Sequence, residues 1–300
     1  MTCNRREFLS VAATLGLAPG LAAGSESMLR KPIPKSGEQL PVIGLGTYSV
    51  FDVESTTGEI ATRKDIVERL TAAGGSLLDT SPMYNRSERV IGDVIAAGVD
   101  RKDLFLATKV WIDGREAGVN QMQRSADLMK TSVVDLMQVH NLRDTRLHME
   151  TIREWQADGR IRYSGLTHYT AGAHAALMRE MQAYRPDFIQ INYSLGEREA
   201  ENTVLPLAQE LGIAVLINRP FQAGRLFRAV SGKPLPEFAG EFADSWGQFF
   251  LKFIVSHPAV TCAIPATSKP HHMADNLGAG FGNMPGPAMR KRMAEYFLSL

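Results

Sequence analysis

The sequence predicts an α/β fold, a (β/α)8 TIM barrel. Eight short apolar runs recur along the chain, and most are nearly continuous in apolar residues, as expected of parallel strands that helices cover on their outer face. Segments of helical period lie between these runs. Strand and helix alternating in this way through 300 residues is typical of a closed barrel. The predicted strands are Val42–Thr47, Ser76–Thr80, Leu104–Val110, Leu136–Asn141, Tyr163–His168, Phe188–Tyr193, Ala214–Asn218 and Thr261–Ala266.

Helix start and stop signals support the intervening helices. Glycines shortly follow three of the four clearest helical segments, and Asn85 is expected to cap the remaining one. The prolines and glycines of Arg225–Gly240 predict a long surface loop after the seventh strand, on the face where it can cover a ligand. The helical segments are Asp65–Leu70, Ser87–Gly92, Met149–Gln156 and Leu205–Leu211.

A doubly wound open sheet is the alternative fold. It needs a glycine-rich phosphate turn after its first strand, but Gly44-Leu45-Gly46 continues into Thr47-Tyr48-Ser49 and lacks the third glycine. The glycine-rich run Gly278–Gly282 follows a helical segment rather than a strand, so it is interpreted as a linker. The barrel is therefore the favoured fold.

The first residues differ from the rest. Arg5-Arg6 precedes the apolar run Val11–Ala23, which ends in small residues. This pattern predicts a twin-arginine signal peptide over residues 1–24, with residues 25–300 as the barrel domain. The implied partner is the twin-arginine export machinery and the implied location is the periplasm. An ordinary amphipathic N-terminus, with a cytoplasmic protein, is the alternative.

Composition narrows the classes of partner. Hydrophobic residues make up 44% of the chain, charged residues 22%, and the formal net charge is +1, so no nucleic acid partner is expected. The apolar run near the N-terminus is too short for a stable membrane anchor. Without Cys3, the exported chain keeps only Cys262, which we expect to be a buried small hydrophobe without a disulfide.

Four chemically matched residues lie at successive predicted strand ends. Asp79 ends the second strand, Tyr84 follows it, Lys109 ends the third and His140 ends the fourth. Barrel active sites lie at these carboxyl ends, so the side chains are expected to converge. A tyrosine donates a proton to a carbonyl oxygen poorly unless its phenolate is favoured; a lysine ammonium held by an aspartate would favour it. The histidine could position the carbonyl or relay the proton.

The segments that carry these residues resemble the aldo-keto reductase family. They are Val42–Tyr48, Asp79–Tyr84, Lys109–Trp111, Asp135–His140 and Ile264–Asn276. The resemblance implies reduction of an aldehyde or ketone, with Tyr84 as general acid, Asp79 and Lys109 tuning it, and His140 orienting the substrate. It also implies a nicotinamide cofactor across the barrel mouth and a substrate pocket lined by Tyr48 and Trp111.

The resemblance further implies a set of cofactor contacts, with three departures from the family pattern. Thr167-His168 replaces a Ser-Asn pair, Asn218 replaces the aromatic that stacks on the nicotinamide, and Ala266 and His272 stand where a basic residue commonly binds the 2′-phosphate. NADP is the favoured cofactor, with NAD or dual use left open. The implied contacts are Gly46, Thr47, Thr167, His168, Gln190, Asn218, Arg219, Phe221, Thr267, Ser268, Lys269, His272 and Asn276.

Two other functions compete with this interpretation. A metal-dependent barrel hydrolase would use Asp79, His140 and His168 as ligands. A non-catalytic barrel that binds a cofactor for sensing would keep the fold without turnover. The substrate and the oligomeric state are not encoded in any pattern that we recognise.

Overall fold

The computed structural model describes residues 27–300, so the predicted signal peptide lies outside the described residues. The first elements of the described residues form an antiparallel hairpin of β1 (Arg30–Pro32) and β2 (Gln39–Pro41). Ile33 and Leu40 of this hairpin are buried in a cluster with residues from the first halves of the barrel strands, such as Phe105. The hairpin therefore closes the amino-terminal end of the barrel. This hairpin was not predicted from the sequence.

Eight parallel strands follow, confirming the predicted barrel. Each strand pairs with the next along the chain from β3 to β10. Parallel bridges from Ile43 to Ala263 and from Gly46 to Ala266 bring the last strand against the first. The strands are β3 (Leu45–Gly46), β4 (Leu77–Asp79), β5 (Phe105–Val110), β6 (Val134–His140), β7 (Ile161–Thr167), β8 (Phe188–Asn192), β9 (Ala214–Asn218) and β10 (Cys262–Ala263).

The close approach at the barrel seam explains one glycine. A Cβ on Gly46 would lie 2.8 Å from the carbonyl oxygen of Ile264, a distance that side chains do not tolerate. Only glycine lets β3 meet the end of β10 here. Cys262 is fully buried nearby, as predicted, and burial raises the pKa of its thiol.

The helices pack outside the strands, and all four predicted helical segments are helical. Gly74, Gly159 and Gly212 follow their helices with positive φ, as the stop signals predicted. The helices are α1 (Thr57–Ala72), α2 (Ser87–Ala96), α3 (Arg115–Leu128), α4 (Thr145–Ala157), α5 (His174–Tyr184), α6 (Val204–Leu211), α7 (Arg225–Ala229), α8 (Trp246–Val255), α9 (Pro270–Gly278) and α10 (Pro287–Leu298). None of the helices between residues 27 and 300 combines the length and the apolar character needed to cross a membrane.

Two local predictions were wrong. Asn85 does not cap α2: its side chain donates a hydrogen bond to Asp52 Oδ2 over 2.7 Å, and Arg86 precedes the helix without a side-chain cap. The segment Arg225–Gly240 is not simply a loop, because it begins with helix α7. Leu226 is buried there and the adjacent Phe227 ring packs on Phe250, so local apolar contacts order the segment.

Candidate functional site

A buried ion pair lies at the carboxyl ends of β4 and β5. Lys109 Nζ donates hydrogen bonds of 2.7 Å to Asp79 Oδ2 and to the backbone oxygen of Thr80. The Lys109 side chain is fully buried and that of Asp79 nearly so. Burial alone would lower the pKa of Lys109, but Asp79 and Tyr84 raise it more, so the net shift is upward. The ammonium therefore remains charged, as buried lysines do when paired.

The other carboxylate oxygen of Asp79 binds two amides. Gln190 Nε2 donates to Oδ1 over 2.7 Å and Gln138 Nε2 over 3.1 Å. Gln138 was not among the predicted site residues, although it precedes His140 by two positions in β6 and so points to the same side of the strand. Gly165 on the neighbouring strand provides the space for the Gln138 side chain, since a Cβ there would lie 2.7 Å from Gln138 Cγ. The carboxylate is thus fixed from both sides.

Tyr84 reaches this pair from a tight turn after β4. Its backbone amide donates to the Ser81 carbonyl over 2.9 Å, and Lys109 Nζ lies 5.0 Å from the centroid of its ring. Burial raises the pKa of Tyr84, and the opposing effect of Lys109 is smaller. The lysine acts in the predicted direction, but the expected net preference for the phenolate is not found. The phenol is therefore protonated at neutral pH.

His140 ends β6 beside Tyr84. The two ring centroids lie 6.0 Å apart with the planes nearly perpendicular, and His140 Nδ1 lies 3.0 Å from the hydroxyl oxygen of Ser81. Burial, and then the charge of Lys109, lower the pKa of His140 to about 2. The imidazole is thus neutral at neutral pH and can form hydrogen bonds without carrying charge.

The predicted pocket aromatics flank this group. The Tyr48 ring lies 5.1 Å from that of Tyr84, and the Trp111 ring lies 6.4 Å from that of His140. Tyr48 is 64% exposed, so it stands at the mouth of the barrel rather than in the core. The guanidinium of Arg143 covers Trp111 at 4.9 Å from its ring centroid. The predicted catalytic and pocket residues therefore share one site.

The ends of β7, β8 and β9 form the adjoining part of the site. Gln190 Oε1 accepts from Thr167 Oγ1 at 3.4 Å and from Asn218 Nδ2 at 3.3 Å. Asn218 Nδ2 also donates to the His168 backbone oxygen at 3.1 Å, which fixes the orientation of its amide. Asn218 Oδ1 is buried and has no hydrogen-bond partner within residues 27–300. A buried acceptor without a donor is costly and suggests a ligand.

The His168 ring supplies the complementary group. Its Nδ1 accepts from the backbone amides of Tyr169 and Thr170, at 3.0 and 3.3 Å. Burial lowers the pKa of His168, so the ring is neutral and its single proton is on Nε2. His168, which stands where the family has an asparagine, therefore still offers a hydrogen-bond donor, its Nε2–H.

The other predicted cofactor contacts are divided between the seam of the barrel and the loop after β9. Thr47 is buried beside Gly46, and its hydroxyl donates to the Asp79 backbone oxygen over 3.0 Å. Arg219 is exposed with a φ of 50°, and its guanidinium lies 5.8 Å from the Tyr169 ring centroid. The Phe221 ring packs on that of Phe227 at 4.8 Å.

A separate group surrounds the start of α9, after β10. Ser268, Lys269 and His272 are exposed there, whereas Thr267 and Asn276 are buried. Thr267 Oγ1 accepts from the Lys269 amide over 3.1 Å and so shapes the turn into the helix. A helix start with exposed hydroxyl and ammonium groups suits an anion. The exposed Ala266 contributes no charge, as the sequence analysis noted.

The residues of the metal-site alternative have other partners. Asp79 binds Lys109 and two glutamines, His140 Nδ1 faces Ser81, and His168 Nδ1 binds backbone amides. No group of three or more His, Cys, Asp and Glu residues in the described part of the chain is arranged to hold a metal ion. The two Nδ1 atoms and the Asp79 carboxylate are therefore committed to a hydrogen-bond network.

The chain is similar to known reductases in sequence and in fold. The chain is 29% identical over 262 residues to methylglyoxal reductase YeaE of Escherichia coli, covering 83% of this chain and 89% of that protein. It is 25% identical over 248 residues to glyoxal reductase of Bacillus subtilis, with 80% and 83% coverage. An aldo-keto reductase from Klebsiella pneumoniae, solved with NADPH, superimposes with a TM-score of 0.77 at 23% identity, covering 90% of this chain and 96% of that one. The model of the aldo/keto reductase family matches residues 42–285. This chain therefore belongs to the aldo/keto reductase family of oxidoreductases.

Proposed function

We propose that this protein reduces an aldehyde or ketone to the alcohol, with NADPH as the reductant and Tyr84 as the general acid. The observation that carries the proposal is the convergence of Tyr84, Lys109, Asp79 and His140 at one end of the barrel. A reduced nicotinamide supplies hydride to the carbonyl carbon; the chain must then supply a proton to the oxygen.

The protonation states of the site suit this task. Tyr84 keeps its proton at neutral pH and can donate it as the carbonyl oxygen gains electrons. The phenolate that remains is compensated by the Lys109 ammonium, which Asp79 holds in place at 2.7 Å. The neutral His140 can form a hydrogen bond to the same oxygen without adding charge. The proton is returned to Tyr84 from solvent after the alcohol leaves.

The cofactor site also fits a nicotinamide. The carboxamide of a nicotinamide has one acceptor oxygen and one donor nitrogen. The His168 Nε2–H is a donor, and the unpartnered Asn218 Oδ1 is an acceptor. Gln190, the expected carboxamide contact, already uses both ends of its amide within the protein. We therefore assign the carboxamide to His168 and Asn218, with Gln190 supporting them.

The anion-binding features at α9 favour NADPH over NADH, with dual use left open. Ser268 and Lys269 are exposed beside the helix start and can bind a 2′-phosphate, while Asn276 is the predicted adenine contact. His272 replaces the expected cation; burial and the nearby His271 and Lys269 lower its pKa, so it is neutral. The preference for the phosphate is therefore expected to be modest.

The names of the relatives suggest which substrates to assay first. Two of them are a methylglyoxal reductase and a glyoxal reductase. Small dicarbonyl compounds are therefore the first candidates, in a pocket bounded by Tyr48 and Trp111.

A fluorescence titration of the purified protein with NADPH, and in parallel with NADH, tests the cofactor assignment. Saturable binding of NADPH, tighter than that of NADH, is the expected result. A folded protein stripped of ligand that binds neither dinucleotide would rule out hydride transfer. Binding without turnover on any carbonyl would instead favour the non-catalytic barrel.

The proposed periplasmic location depends on Arg5 and Arg6, which precede the described residues. Replacing both by lysine in the full-length chain should retain the protein in the cytoplasm, as measured by cell fractionation. An unchanged distribution would contradict export by the twin-arginine route.

A further inference from the structure

Ser81 contacts both of the residues proposed to act on the carbonyl oxygen. It is fully buried in the loop after β4. Its backbone oxygen accepts from the Tyr84 amide over 2.9 Å, and its hydroxyl oxygen lies 3.0 Å from His140 Nδ1. Neither its sequence position nor its residue type marked it as part of the site.

The other hydrogen bonds of the Ser81 hydroxyl determine whether it donates to His140 Nδ1 or accepts from it. A hydroxyl donates one proton and accepts others. Ser81 Oγ already accepts from the Met83 amide at 3.4 Å. Within residues 27–300, His140 Nδ1 is the one acceptor in reach of its proton. If Nδ1 were protonated, the buried hydroxyl proton would have no acceptor, which is unfavourable.

The His140 ring carries a single proton. Burial and Lys109 keep His140 neutral, with a pKa of about 2, so its ring carries one proton. The partner of one ring nitrogen determines which nitrogen holds that proton. A bond donated by Ser81 to Nδ1 leaves the proton on Nε2, which has no hydrogen-bond partner among the described residues.

We propose that Ser81 is a positioning residue that holds His140 in the tautomer protonated at Nε2, so that the ring donates a hydrogen bond to the carbonyl oxygen. Through its backbone oxygen, Ser81 also fixes the turn that presents Tyr84. One residue thereby sets the spacing of the two groups that meet the same oxygen. The identity of the acceptor rests on the proposed function; the tautomer itself does not.

Nitrogen-15 NMR of the full chain with labelled histidine tests the tautomer directly. The His140 signals are assigned by their loss in His140→Gln. We expect Nδ1 to show the shift of an unprotonated ring nitrogen and Nε2 that of a protonated one at neutral pH. The reverse pattern in the unmodified protein would overturn the proposal.

Ser81→Ala tests the role of the hydroxyl. We expect a mixture of His140 tautomers and about a tenfold lower kcat, the worth of one hydrogen bond, with unchanged NADPH affinity. Ser87→Ala is the matched control, because Ser87, the first residue of α2, is as buried as Ser81 and its hydroxyl donates to the Thr47 backbone oxygen at 3.5 Å. It should keep both the tautomer and kcat.

Unchanged nitrogen shifts and unchanged kcat in Ser81→Ala would count decisively against the proposal. If that variant does not fold, the spectrum of the unmodified protein still decides it. Absence of NADPH-dependent turnover in the unmodified protein would overturn the proposed function instead, and would leave the tautomer measurement valid.

Discussion

Gln190 Nε2 donates a 2.7 Å hydrogen bond to Asp79 Oδ1, so a residue predicted to bind cofactor is joined to the carboxylate that holds Lys109. Through its other end, Gln190 accepts from Asn218, whose free oxygen we assign to the cofactor. The cofactor site and the proton-transfer site are therefore linked through one amide.

This link predicts different effects for the two glutamines that bind Asp79. Gln190→Met and Gln138→Met each remove a donor to the same carboxylate oxygen, so each should lower kcat and reduce the free energy of unfolding by about 1–3 kcal/mol. Only Gln190→Met should also weaken NADPH binding, because only Gln190 contacts Asn218. Fluorescence titration and urea unfolding of both variants check this. Equal NADPH affinity in the two would contradict the link.

The buried pair of Asp79 and Lys109 predicts strong energetic coupling. Asp79→Asn leaves the Lys109 ammonium buried without its counter-ion, and we expect a loss of about 3–5 kcal/mol in the free energy of unfolding. Adding Lys109→Met removes the stranded charge and should recover much of that loss, although turnover stays lost. Urea unfolding of both single variants and the double variant measures the coupling. Additive losses would show that the pair is not coupled.

The depressed pKa of His140 predicts its contribution to acid stability. The folded pKa is about 2 and the unfolded value 6.5, so the unfolded state binds a proton that the folded state does not. The stability from this group is present above pH 6.5 and is lost as the pH falls toward 2, by up to about 1.4 kcal/mol per pH unit.

His140→Gln removes this titration. The free energy of unfolding should then fall less steeply below pH 6.5, by the slope that corresponds to one proton. His257→Gln is the comparison. Burial lowers the pKa of His257 to about 4, so its contribution to the pH dependence of the free energy of unfolding should end near pH 4. Unfolding measured at several pH values separates the two. An acid profile of His140→Gln parallel to that of the unmodified protein would show that His140 is not held neutral.

Cofactor preference should respond to a single charge at His272. This side chain is exposed and neutral beside Lys269 at the start of α9. His272→Arg adds a permanent cation that can bind a 2′-phosphate, so NADPH should bind about tenfold more tightly while NADH is unaffected. Parallel titrations with both dinucleotides check this. An equal gain for NADH would place the phosphate elsewhere.

The strands, and the site residues at their carboxyl ends, could be predicted from the sequence for a physical reason. Parallel barrel strands are covered on their outer face, so they appear as continuous apolar runs, and their ends locate Asp79, Lys109 and His140. Gln138 could also have been predicted, because it lies two positions before His140 on the same side of the strand, but it was not. The short strands were predicted too long: β10 covers only Cys262–Ala263 within the predicted Thr261–Ala266.

Other features depend on contacts that sequence patterns do not encode. Ser81 meets His140 across 59 positions of the chain, and its loop has no periodicity. Asn85 had a capping residue type, but Asp52 competes for its side chain. The net shift in the pKa of Tyr84 depends on the balance between burial and Lys109, which requires coordinates.

The most direct test of the account is carbonyl-dependent oxidation of NADPH by Tyr84→Phe beside the unmodified protein. Loss of one hydroxyl removes the proton donor and leaves the ring contacts to Tyr48 and His140 in place. We predict NADPH affinity within a factor of about two and a loss of turnover of about a hundredfold to ten-thousandfold. Full activity in Tyr84→Phe would contradict the assignment of Tyr84 as the general acid.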